Sequence, residues 1–279
     1  MALLPRLIRL YEDRGFTIST GLNPLHFQGL KLAPFTWLVK DGESWTRGLG
    51  ISAQEIFFLE GLFETYRPRN LLVIGNSFGW STLALAMLNP EAKIVALDSG
   101  FDNHSLEGIA LTNEIAAEEG LRVLAVEGSS PEDVPPNVME HLGGRVDCSF
   151  VDGLHTNEQV TRDYEAIRPF APPEAVYLFH DVHDYDLYPA FERIRETWSG
   201  ESRVLLGTPS GMAILYGEEL SAESRAVIDA FTLKDNVRPV LDRAIWQHRN
   251  HTWLRRRRKW GRRKARLLNL LGWRRHEKG

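Results

Sequence analysis

Short apolar runs alternate with helical patterns through the middle of this 279-residue chain. Capping boxes at Ser52-x-x-Glu55 and Thr156-x-x-Gln159 indicate two helix starts, and the first helix should end before Pro68. Runs of apolar residues predict five strands, at 71–74, 94–97, 123–126, 148–151 and 176–179. Apolar residues at helical spacing predict helices between them, at 81–88, 105–118, 156–167 and 187–198. Continuously apolar strands that alternate with helices are typical of a parallel sheet covered on both faces.

A hairpin is predicted to close this sheet. The apolar runs at 204–206 and 212–216 flank Gly207-Thr208-Pro209-Ser210-Gly211, which is rich in turn-forming residues. Two strands joined by a hairpin are antiparallel to each other. The predicted fold class is therefore α/β, a Rossmann-like doubly wound sheet that is mostly parallel and has an antiparallel last strand.

The chain is predicted to have four parts. Residues 1–48 lack a periodic pattern and are interpreted as an irregular N-terminal arm or cover, and residues 49–217 hold the sheet. Residues 218–248 form a helical extension, and residues 249–279 form a basic tail. The tail has 13 of the 33 Lys and Arg residues and a single acid, Glu277, which leaves 20 bases against 36 acids in the remainder. An acidic globule with a cationic appendage is predicted.

Composition narrows the class of protein and its compartment. With 43% hydrophobic and 25% charged residues the chain is globular, which excludes disordered, collagen-like and disulfide-scaffold classes. A single cysteine, Cys148, permits no internal disulfide and fits a reducing compartment. No apolar run reaches the roughly 18 residues of a membrane span, and Arg6 and Arg9 interrupt the N-terminal apolar stretch, so no signal peptide is indicated. These features predict a cytoplasmic protein.

The ends of the predicted strands are where a doubly wound sheet binds its ligands. The first strand runs into a turn with Gly75 and Gly79, whose spacing differs from the G-x-G-x-x-G of dinucleotide sites. The second strand ends at Asp98, a carboxylate that can accept two hydrogen bonds from a ribose diol. A nucleoside without a pyrophosphate fits this pair, and S-adenosylmethionine is the common example. A tight strand-to-helix turn without a ligand is the alternative.

The same turn also matches G-x-S-x-G, the nucleophile elbow of α/β-hydrolases, with Ser77 as the nucleophile. Asp152 with His180 or His183 could then complete a catalytic triad. Two features oppose this interpretation, since no HGGG-type loop precedes Ser77 and the elbow would follow the first clear strand rather than several strands.

Acids and histidines gather at the ends of the fourth and fifth predicted strands. Asp152 follows the fourth strand, with His155 three residues further on, and His180 and Asp181 follow the fifth. The two carboxylates could share a divalent cation, and His180 is either a further ligand or a support for one. A neutral His155 is a candidate general base for a substrate hydroxyl whose pKa the cation would lower. The structural alternatives are capping of a helix or turn by the acids and loop contacts of the histidines.

The order of these segments resembles that of class I S-adenosylmethionine-dependent methyltransferases. The segments that carry the likeness are LLVIGNSFGWSTLALA, KIVALD, LRVLAVEGSS, VDCSFVDGLHTNEQVTRDYEAI, AVYLFHDVH and VLLGTPSGMAILY, which together cover about residues 50–217. The chain is similar in particular to the group that includes cephalosporin-hydroxylase-like proteins and macrolide-sugar and polysaccharide O-methyltransferases. The DG-x-H element with the downstream HD is the most specific part.

The resemblance implies an O-methyltransferase that acts on a hydroxyl of a sugar or other small metabolite, with residues 49–217 as its methyltransferase domain. The implied ligands of S-adenosylmethionine, from the methionine part through the ribose to the adenine, are Gly75, Asn76, Ser77 and Gly79, then Asp98, then Gly128 and Ser129. The implied ligands of a divalent metal, Mg²⁺ or Mn²⁺, are Asp152, His180 and Asp181, and the implied base is His155.

Two positions depart from the pattern of the family. Val73 and Ile74 stand where the first strand usually carries an acid, which leaves a non-catalytic methyltransferase-like binding module as an alternative. His180 stands where an acid is expected, and imidazole suits Mn²⁺, Fe²⁺ or Zn²⁺ better than Mg²⁺. The alternatives are a different metal, a His180 that is not a ligand, and a reaction without metal.

The tail adds candidate partners besides the small-molecule or glycan substrate. Its Arg and Lys residues are interleaved with Trp253 and Trp260 and are followed by leucines. A basic segment with such apolar anchors suits an anionic membrane surface, which would place the protein at the inner face of a membrane. The alternatives are nucleic acid, docking on an acidic body that includes a second subunit of a homo-oligomer, and a solubilising tail.

Overall fold

The computed structural model describes residues 2–46, 50–101, 104–251 and 253 of the chain. The chain separates into two compact units, Met1–Thr232 and Leu233–Gly279. Within the described residues, no helix is both long and apolar enough to span a membrane. Most of the predicted basic tail, and with it the membrane, nucleic-acid and docking predictions, lies outside the described residues. The division into four parts stays a prediction.

Residues 1–48 were predicted to be irregular, but their described part, residues 2–46, begins with a helix and contains a small antiparallel sheet with the strand order β1-β2-β3. These elements are α1 (Leu3–Glu12), β1 (Thr17–Ser19), β2 (Trp37–Lys40) and β3 (Glu43–Ser44). The prediction of irregular structure was wrong, because the buried residues Leu3, Leu7 and Tyr11 recur at the four-residue spacing of a helix. Pro5 does not interrupt α1, since it lies in the first turn, where its missing N–H costs no hydrogen bond.

The other elements of the first unit alternate between helix and strand until the last two strands. In chain order they are α2 (Ala53–Thr65), β4 (Asn70–Ile74), α3 (Trp80–Leu88), β5 (Lys93–Asp98), α4 (Ser105–Glu118), β6 (Val123–Glu127), α5 (Val134–Leu142), β7 (Cys148–Val151), α6 (Asn157–Ile167), β8 (Val176–Phe179), α7 (Tyr188–Thr197), β9 (Glu201–Leu205), β10 (Met212–Tyr216) and α8 (Ala222–Phe231). The second unit contains α9, Arg238–Arg249. Helix α5 was not predicted; Pro135 and Pro136 lie in its first turn, where proline is tolerated.

Strands β4 to β10 form one seven-stranded sheet in the order β6-β5-β4-β7-β8-β10-β9. Neighbouring strands from β6 to β8 pair in parallel, whereas β10 runs antiparallel to both β8 and β9. The predicted fold class, a mostly parallel doubly wound sheet with an antiparallel last strand, is therefore confirmed. Strand β4 lies between β5 and β7, so the point at which the strand order reverses falls at the carboxyl ends of these three strands.

Both faces of the sheet are buried, which explains the continuous apolar runs in the sequence. In β4, Leu71 and Val73 pack into one hydrophobic core and Leu72 and Ile74 pack into the other. Burial of each such side chain contributes about 1.5–3 kcal/mol relative to exposure. The first core also contains Leu7 of α1, so the N-terminal helix belongs to the same hydrophobic core as the sheet.

Both predicted capping boxes begin a helix, but the two differ in completeness. At α2 the hydroxyl of Ser52 accepts from the amide of Glu55, and the carboxylate of Glu55 accepts from the amide of Ser52 at 2.7 Å. At α6 the hydroxyl of Thr156 accepts from the amide of Gln159 at 3.1 Å. The side chain of Gln159, however, donates to the carbonyl oxygen of Ser130, so the reciprocal half of this box is replaced by a tertiary contact.

Candidate active site

The turn between β4 and α3 follows a path that requires glycine at two positions. Gly75 has a φ of 93°, and a Cβ atom there would lie 2.0 Å from the carbonyl oxygen of Asp152. Gly79 has a φ of 76°, and a Cβ atom there would lie 2.1 Å from Oγ1 of Thr112. The two glycines therefore allow this turn to approach closely both the end of β7 and helix α4.

Asp98, the last residue of β5, lies directly beside this turn. Its Oδ2 accepts a hydrogen bond from the amide of Ser77 at 2.6 Å, and its Oδ1 accepts one from the amide of Gly100 at 3.0 Å. Each carboxylate oxygen has two lone pairs, so both can still accept hydrogen bonds from a ribose diol. The predicted nucleoside site requires Asp98 to neighbour the glycine turn, and the structure places the two in contact.

Asn76 holds the turn in place through its buried side chain. Its Nδ2 donates to Oγ1 of Thr112 at 3.0 Å, and its Oδ1 accepts from Oγ1 of Thr82 at 2.9 Å. Thr82 belongs to α3 and Thr112 to α4, so this amide ties the turn to both helices. The predicted contact of Asn76 with a cofactor would therefore be made through its backbone.

Gly128 and Ser129 follow β6 and adjoin the end of β5. The amide of Gly128 donates to the carbonyl oxygen of Asp98 at 2.8 Å. The amide of Ser129 donates to Oδ2 of Asp133 at 2.7 Å. The predicted adenine side of the site is thus joined to the predicted ribose side by a backbone hydrogen bond.

Four side chains beyond the ends of β7 and β8 form a compact cluster. Asp152, His155, His180 and Asp181 each offer one nitrogen or oxygen atom, and these atoms all lie within 4.8 Å of one another. Nε2 of His155 is 3.2 Å from Oδ1 of Asp152 and 3.3 Å from Oδ2 of Asp181. Nδ1 of His180 is 3.1 Å from Oδ1 of Asp152 and 3.3 Å from Oδ1 of Asp181. The structure therefore brings together the residues that the sequence suggested for metal binding and base catalysis.

The donor set of this acid–histidine cluster fits a divalent cation. The side chain of His180 is 2% exposed, and neither of its ring nitrogens makes a hydrogen bond of good geometry with a described residue. A buried polar atom without a hydrogen bond costs free energy, and Nδ1 of this ring lies within 3.3 Å of two carboxylates. Carboxylate oxygens together with imidazole nitrogens form a ligand set that Mn²⁺, Fe²⁺ and Zn²⁺ accept.

Positive charge is strongly favoured at the centre of the cluster. Burial disfavours ionisation of Asp152, but His180 and His155 outweigh it and lower the pKa of this carboxyl to about 2. Burial also opposes protonation of His155, yet its hydrogen bond to Asp152 and the charges of Asp152 and Asp181 raise its pKa. The pKa of His180 rises well above its usual value, because Asp152, Asp181 and Glu55 outweigh the effect of burial. A bound cation would supply the charge that protons supply here.

Two side chains next to the cluster were not identified from the sequence as parts of the site. Glu55 of α2 is fully buried, and its Oε1 lies 3.3 Å from Nε2 of His180. Tyr185 stacks on His155 with the ring centroids 4.4 Å apart. Glu55 could be recognised from the sequence only as a helix cap, because its contact with His180 depends on tertiary packing.

The N-terminal segment supports the glycine turn from the outside. Tyr11 of α1 donates its buried hydroxyl to the carbonyl oxygen of Phe78, in the middle of the turn, at 2.7 Å. The ring of Phe78 packs against Phe16 and Trp45, with centroid distances of 6.4 and 5.5 Å. The glycine turn is therefore held by residues from the segment predicted to be an irregular cover.

The site does not provide Ser77 with the partners of a hydrolase. A catalytic triad needs a chain of hydrogen bonds from serine to histidine to acid. In the part of the chain that the structure describes, Asp152 does lie 3.1 Å from His180, but no hydrogen bond joins the hydroxyl of Ser77 to a histidine. His183 bonds through Nδ1 to a tyrosine hydroxyl at 3.0 Å. The nucleophile-elbow interpretation is therefore not supported.

The sheet, with its antiparallel last strand and an acid of its second strand touching the turn of the first, agrees with the fold that the sequence resemblance to class I methyltransferases implies. A comparison with protein families agrees, since residues 72–182 match the family model described as a methyltransferase domain. This range contains the glycine turn, Asp98 and the whole acid–histidine cluster. Residues 72–182 therefore match a methyltransferase domain, and they lie in a Rossmann-like α/β sheet.

The chain is also similar to solved structures of O-methyltransferases, of which three are described by sequence identity, coverage and TM-score. The apo structure of CalS11, described as a TDP-rhamnose 3'-O-methyltransferase of calicheamicin biosynthesis, is 20% identical; 59% of this chain and 80% of that chain are covered at a TM-score of 0.49. A putative caffeoyl-CoA O-methyltransferase from Staphylococcus aureus is 14% identical, with 60% and 85% covered at 0.49. TomG from Streptomyces achromogenes, an O-methyltransferase involved in tomaymycin synthesis and solved with S-adenosylmethionine, is 16% identical, with 78% and 90% covered at 0.48. None of the curated proteins matches the chain.

Proposed function

We propose that the chain transfers a methyl group from S-adenosylmethionine to a hydroxyl of a sugar or other small metabolite. One observation carries this proposal, the contact between the glycine turn and the acid–histidine cluster. The amide of Asp152 donates to the carbonyl oxygen of Ile74 at 2.8 Å, and Gly75 lies directly against the backbone of Asp152. A cofactor bound at the turn would therefore lie next to an acceptor hydroxyl bound at the acid–histidine cluster. The substrate class follows the sequence resemblance to sugar O-methyltransferases.

The cofactor would lie along the ends of β4, β5 and β6. Asp98 would accept the ribose hydroxyls, the backbone of residues 75–79 would contact the methionine part, and Gly128 and Ser129 would border the adenine. When bound, S-adenosylmethionine supplies a methyl group on a positively charged sulfur, which becomes a neutral thioether as the methyl passes to the acceptor oxygen. The remaining task of the protein is to align that oxygen and to remove its proton.

His155 is the residue proposed to remove this proton. Its side chain is 20% exposed, against 12% for Asp152, 10% for Asp181 and 2% for His180, so it is the most accessible member of the cluster. Stacking on Tyr185 and the hydrogen bond to Asp152 hold the imidazole in one orientation. A positioned imidazole of this kind contributes about 10²- to 10⁴-fold as a general base.

A divalent cation, Mg²⁺ or Mn²⁺, belongs to the proposal. Asp152, His180 and Asp181 would hold it, since their donor atoms converge and the buried ring of His180 makes no hydrogen bond with any residue that the structure describes. The cation would supply positive charge that lowers the pKa of the acceptor hydroxyl. Asp152 and Asp181 would in turn favour the proton on His155 after the transfer.

The basic tail supports a proposal about location, at the inner face of a membrane with anionic lipids. Its 13 Lys and Arg residues lie among Trp and Leu residues, and each base near such a surface adds about 1 kcal/mol of binding. We expect the protein to cosediment with phosphatidylserine vesicles less and less as salt is raised, and residues 1–248 alone to stay in solution. Equal binding of the shortened chain would exclude the tail as the anchor.

Stabilisation by the cofactor tests the proposed function. At 100 times their dissociation constants, S-adenosylmethionine and S-adenosylhomocysteine should each raise the free energy of unfolding by about 2.7 kcal/mol. Denaturant unfolding with each ligand, with and without Mn²⁺, measures this effect, and ATP serves as the control nucleotide. Absence of stabilisation by both ligands would contradict the proposal. Labelling of Ser77 by a serine-directed probe would instead favour the hydrolase, and cofactor binding without methyl transfer would favour the non-catalytic module.

A further inference from the structure

Glu55 is a fully buried acid whose partners go beyond those of a helix cap. It lies in the first turn of α2, outside the range 72–182 that matches the methyltransferase family. Its Oε2 accepts from the amide of Ser52 at 2.7 Å, and its Oε1 accepts from the amide of Ser210 at 3.2 Å and from the hydroxyl of Ser210. Nε2 of His180 lies 3.3 Å from the same Oε1. Capping explains the contact with Ser52 and leaves the other contacts unexplained.

The donors around Glu55 favour a proton on Nε2 of the His180 ring. The backbone amides of Ser52 and Ser210 can only donate, so both carboxylate oxygens act as acceptors. A ring nitrogen that faces such an oxygen is favoured in its N–H form, and in a neutral imidazole the other nitrogen then carries the lone pair. That other nitrogen is Nδ1, which lies within 3.3 Å of Asp152 and Asp181. Without a cation, Nδ1 also faces carboxylate oxygens and is favoured as N–H. A cation held by Asp152 and Asp181 would take the place of the Nδ1 proton, whereas Glu55, which lies on the other side of the ring, would keep the proton on Nε2.

We propose that Glu55 is a positioning residue for a metal centre at Asp152, His180 and Asp181, where it keeps the proton on Nε2 of His180 and makes Nδ1 the ligand. The proposal rests on the cation of the proposed function. A carboxylate behind a metal-bound imidazole fixes the orientation of the ring and raises its basicity. Glu55 and His180 together would thus supply the negative charge that an acid at position 180 would supply alone.

The variant Glu55→Gln tests this role, because an amide cannot accept hydrogen bonds at both of its ends. If the glutamine oxygen points toward the amide of Ser52, the NH₂ group faces Nε2 of His180, which must then accept, so that the ring proton moves to Nδ1. If the glutamine amide has the opposite orientation, the hydrogen bond from the amide of Ser52 is lost, and with it part of the helix cap. We expect E55Q to bind Zn²⁺ about 10- to 100-fold more weakly than the natural protein, measured by competition with a chelating indicator. Zn²⁺ is used because it accepts imidazole and is diamagnetic.

Nitrogen-15 NMR of the histidine rings tests the proposal in the natural protein, even if E55Q does not fold. After addition of Zn²⁺ we expect the His180 spectrum to show a coordinated Nδ1 and a protonated Nε2. A coordinated Nε2 would overturn the proposal.

Ser52→Ala is the matched control for damage to the helix start. It removes the hydroxyl that accepts from the Glu55 amide at 3.2 Å and leaves the carboxylate in place. We expect S52A to lower the free energy of unfolding by about 1 kcal/mol and to leave the Zn²⁺ affinity unchanged. Unchanged Zn²⁺ affinity in E55Q, or an equal loss in S52A, would overturn the role of Glu55 while leaving the metal site intact. If the natural protein binds no Zn²⁺, the metal part of the proposed function fails, and the role of Glu55 fails with it.

Discussion

Replacing Asp152 by asparagine is expected to lower kcat for methyl transfer by about 100- to 1000-fold. Oδ1 of Asp152 is 3.2 Å from Nε2 of His155 and 3.1 Å from Nδ1 of His180, so one oxygen serves both imidazoles. With a pKa of about 2 the carboxyl is ionised at neutral pH, and the amide removes this charge. Transfer of a labelled methyl group to a panel of glycosides and other diols measures the effect. Binding of S-adenosylmethionine is measured separately and should be retained in part.

Asp147→Asn is the matched control for this substitution. Asp147 precedes the same strand, β7, at its opposite end, where Oδ2 accepts from the amides of Arg69 and Asn70 at 3.1 and 3.0 Å. We expect D147N to lower the free energy of unfolding by about 1–3 kcal/mol and to leave kcat unchanged. Full activity of D152N would remove Asp152 from the chemistry, and equal losses in both variants would assign the effect to stability.

The second large effect is expected from Gly75→Ala. The added methyl group would lie 2.0 Å from the carbonyl oxygen of Asp152, which is backbone and cannot turn aside as a side chain can. The φ of 93° adds strain, so we expect the free energy of unfolding to fall by about 3 kcal/mol or more. Stabilisation by S-adenosylhomocysteine should disappear, because the turn and the end of β7 must separate. Denaturant unfolding with and without this ligand measures both effects.

Gly143→Ala separates the cost of the backbone conformation from the cost of the close contact. Gly143 also has a positive φ, of 65°, but apart from its own neighbours in the chain no atom of the described residues lies within 4 Å of the position that a Cβ would take. We expect G143A to lose about 1–2 kcal/mol of stability and to keep its full response to S-adenosylhomocysteine. A response that is lost in both variants, or kept in both, would show that the approach of Gly75 to Asp152 is not what shapes the site.

Burial on both faces is the reason why the sheet could be predicted from the sequence. Val73 packs into one core and its neighbour Ile74 into the other, so no polar residue interrupts the run. The strands predicted at 148–151 and 176–179 have these bounds in the structure. Asp98 and Asp152 could be recognised as candidate site residues because each follows a continuous apolar run. A polar residue at the end of such a run marks the carboxyl edge of the sheet.

Contacts between segments that are distant in the chain could not be predicted in this way. A capping box accounts for Glu55 locally, and no pattern indicates that its second oxygen faces His180. Tyr11 belongs to a short helix with a proline in its first turn, so neither the helix nor its hydrogen bond to Phe78 was anticipated. Asn76 shows the converse, because its place in the glycine turn suggests a ligand contact while its side chain is buried against two helices.

The hydrogen bonds of Asp98 bear on the entropy of the cofactor binding proposed above. The backbone amides of Ser77 and Gly100 donate hydrogen bonds to its two carboxylate oxygens without any bound nucleoside. Ordering a mobile side chain at a binding site costs about 0.5–1.5 kcal/mol, and a preorganised one avoids most of this penalty. The ribose would thus bind to a carboxylate that is already held rigidly. Its contribution to affinity would depend on the geometry of the new hydrogen bonds, because the Asp98 side chain would lose little rotational freedom on binding.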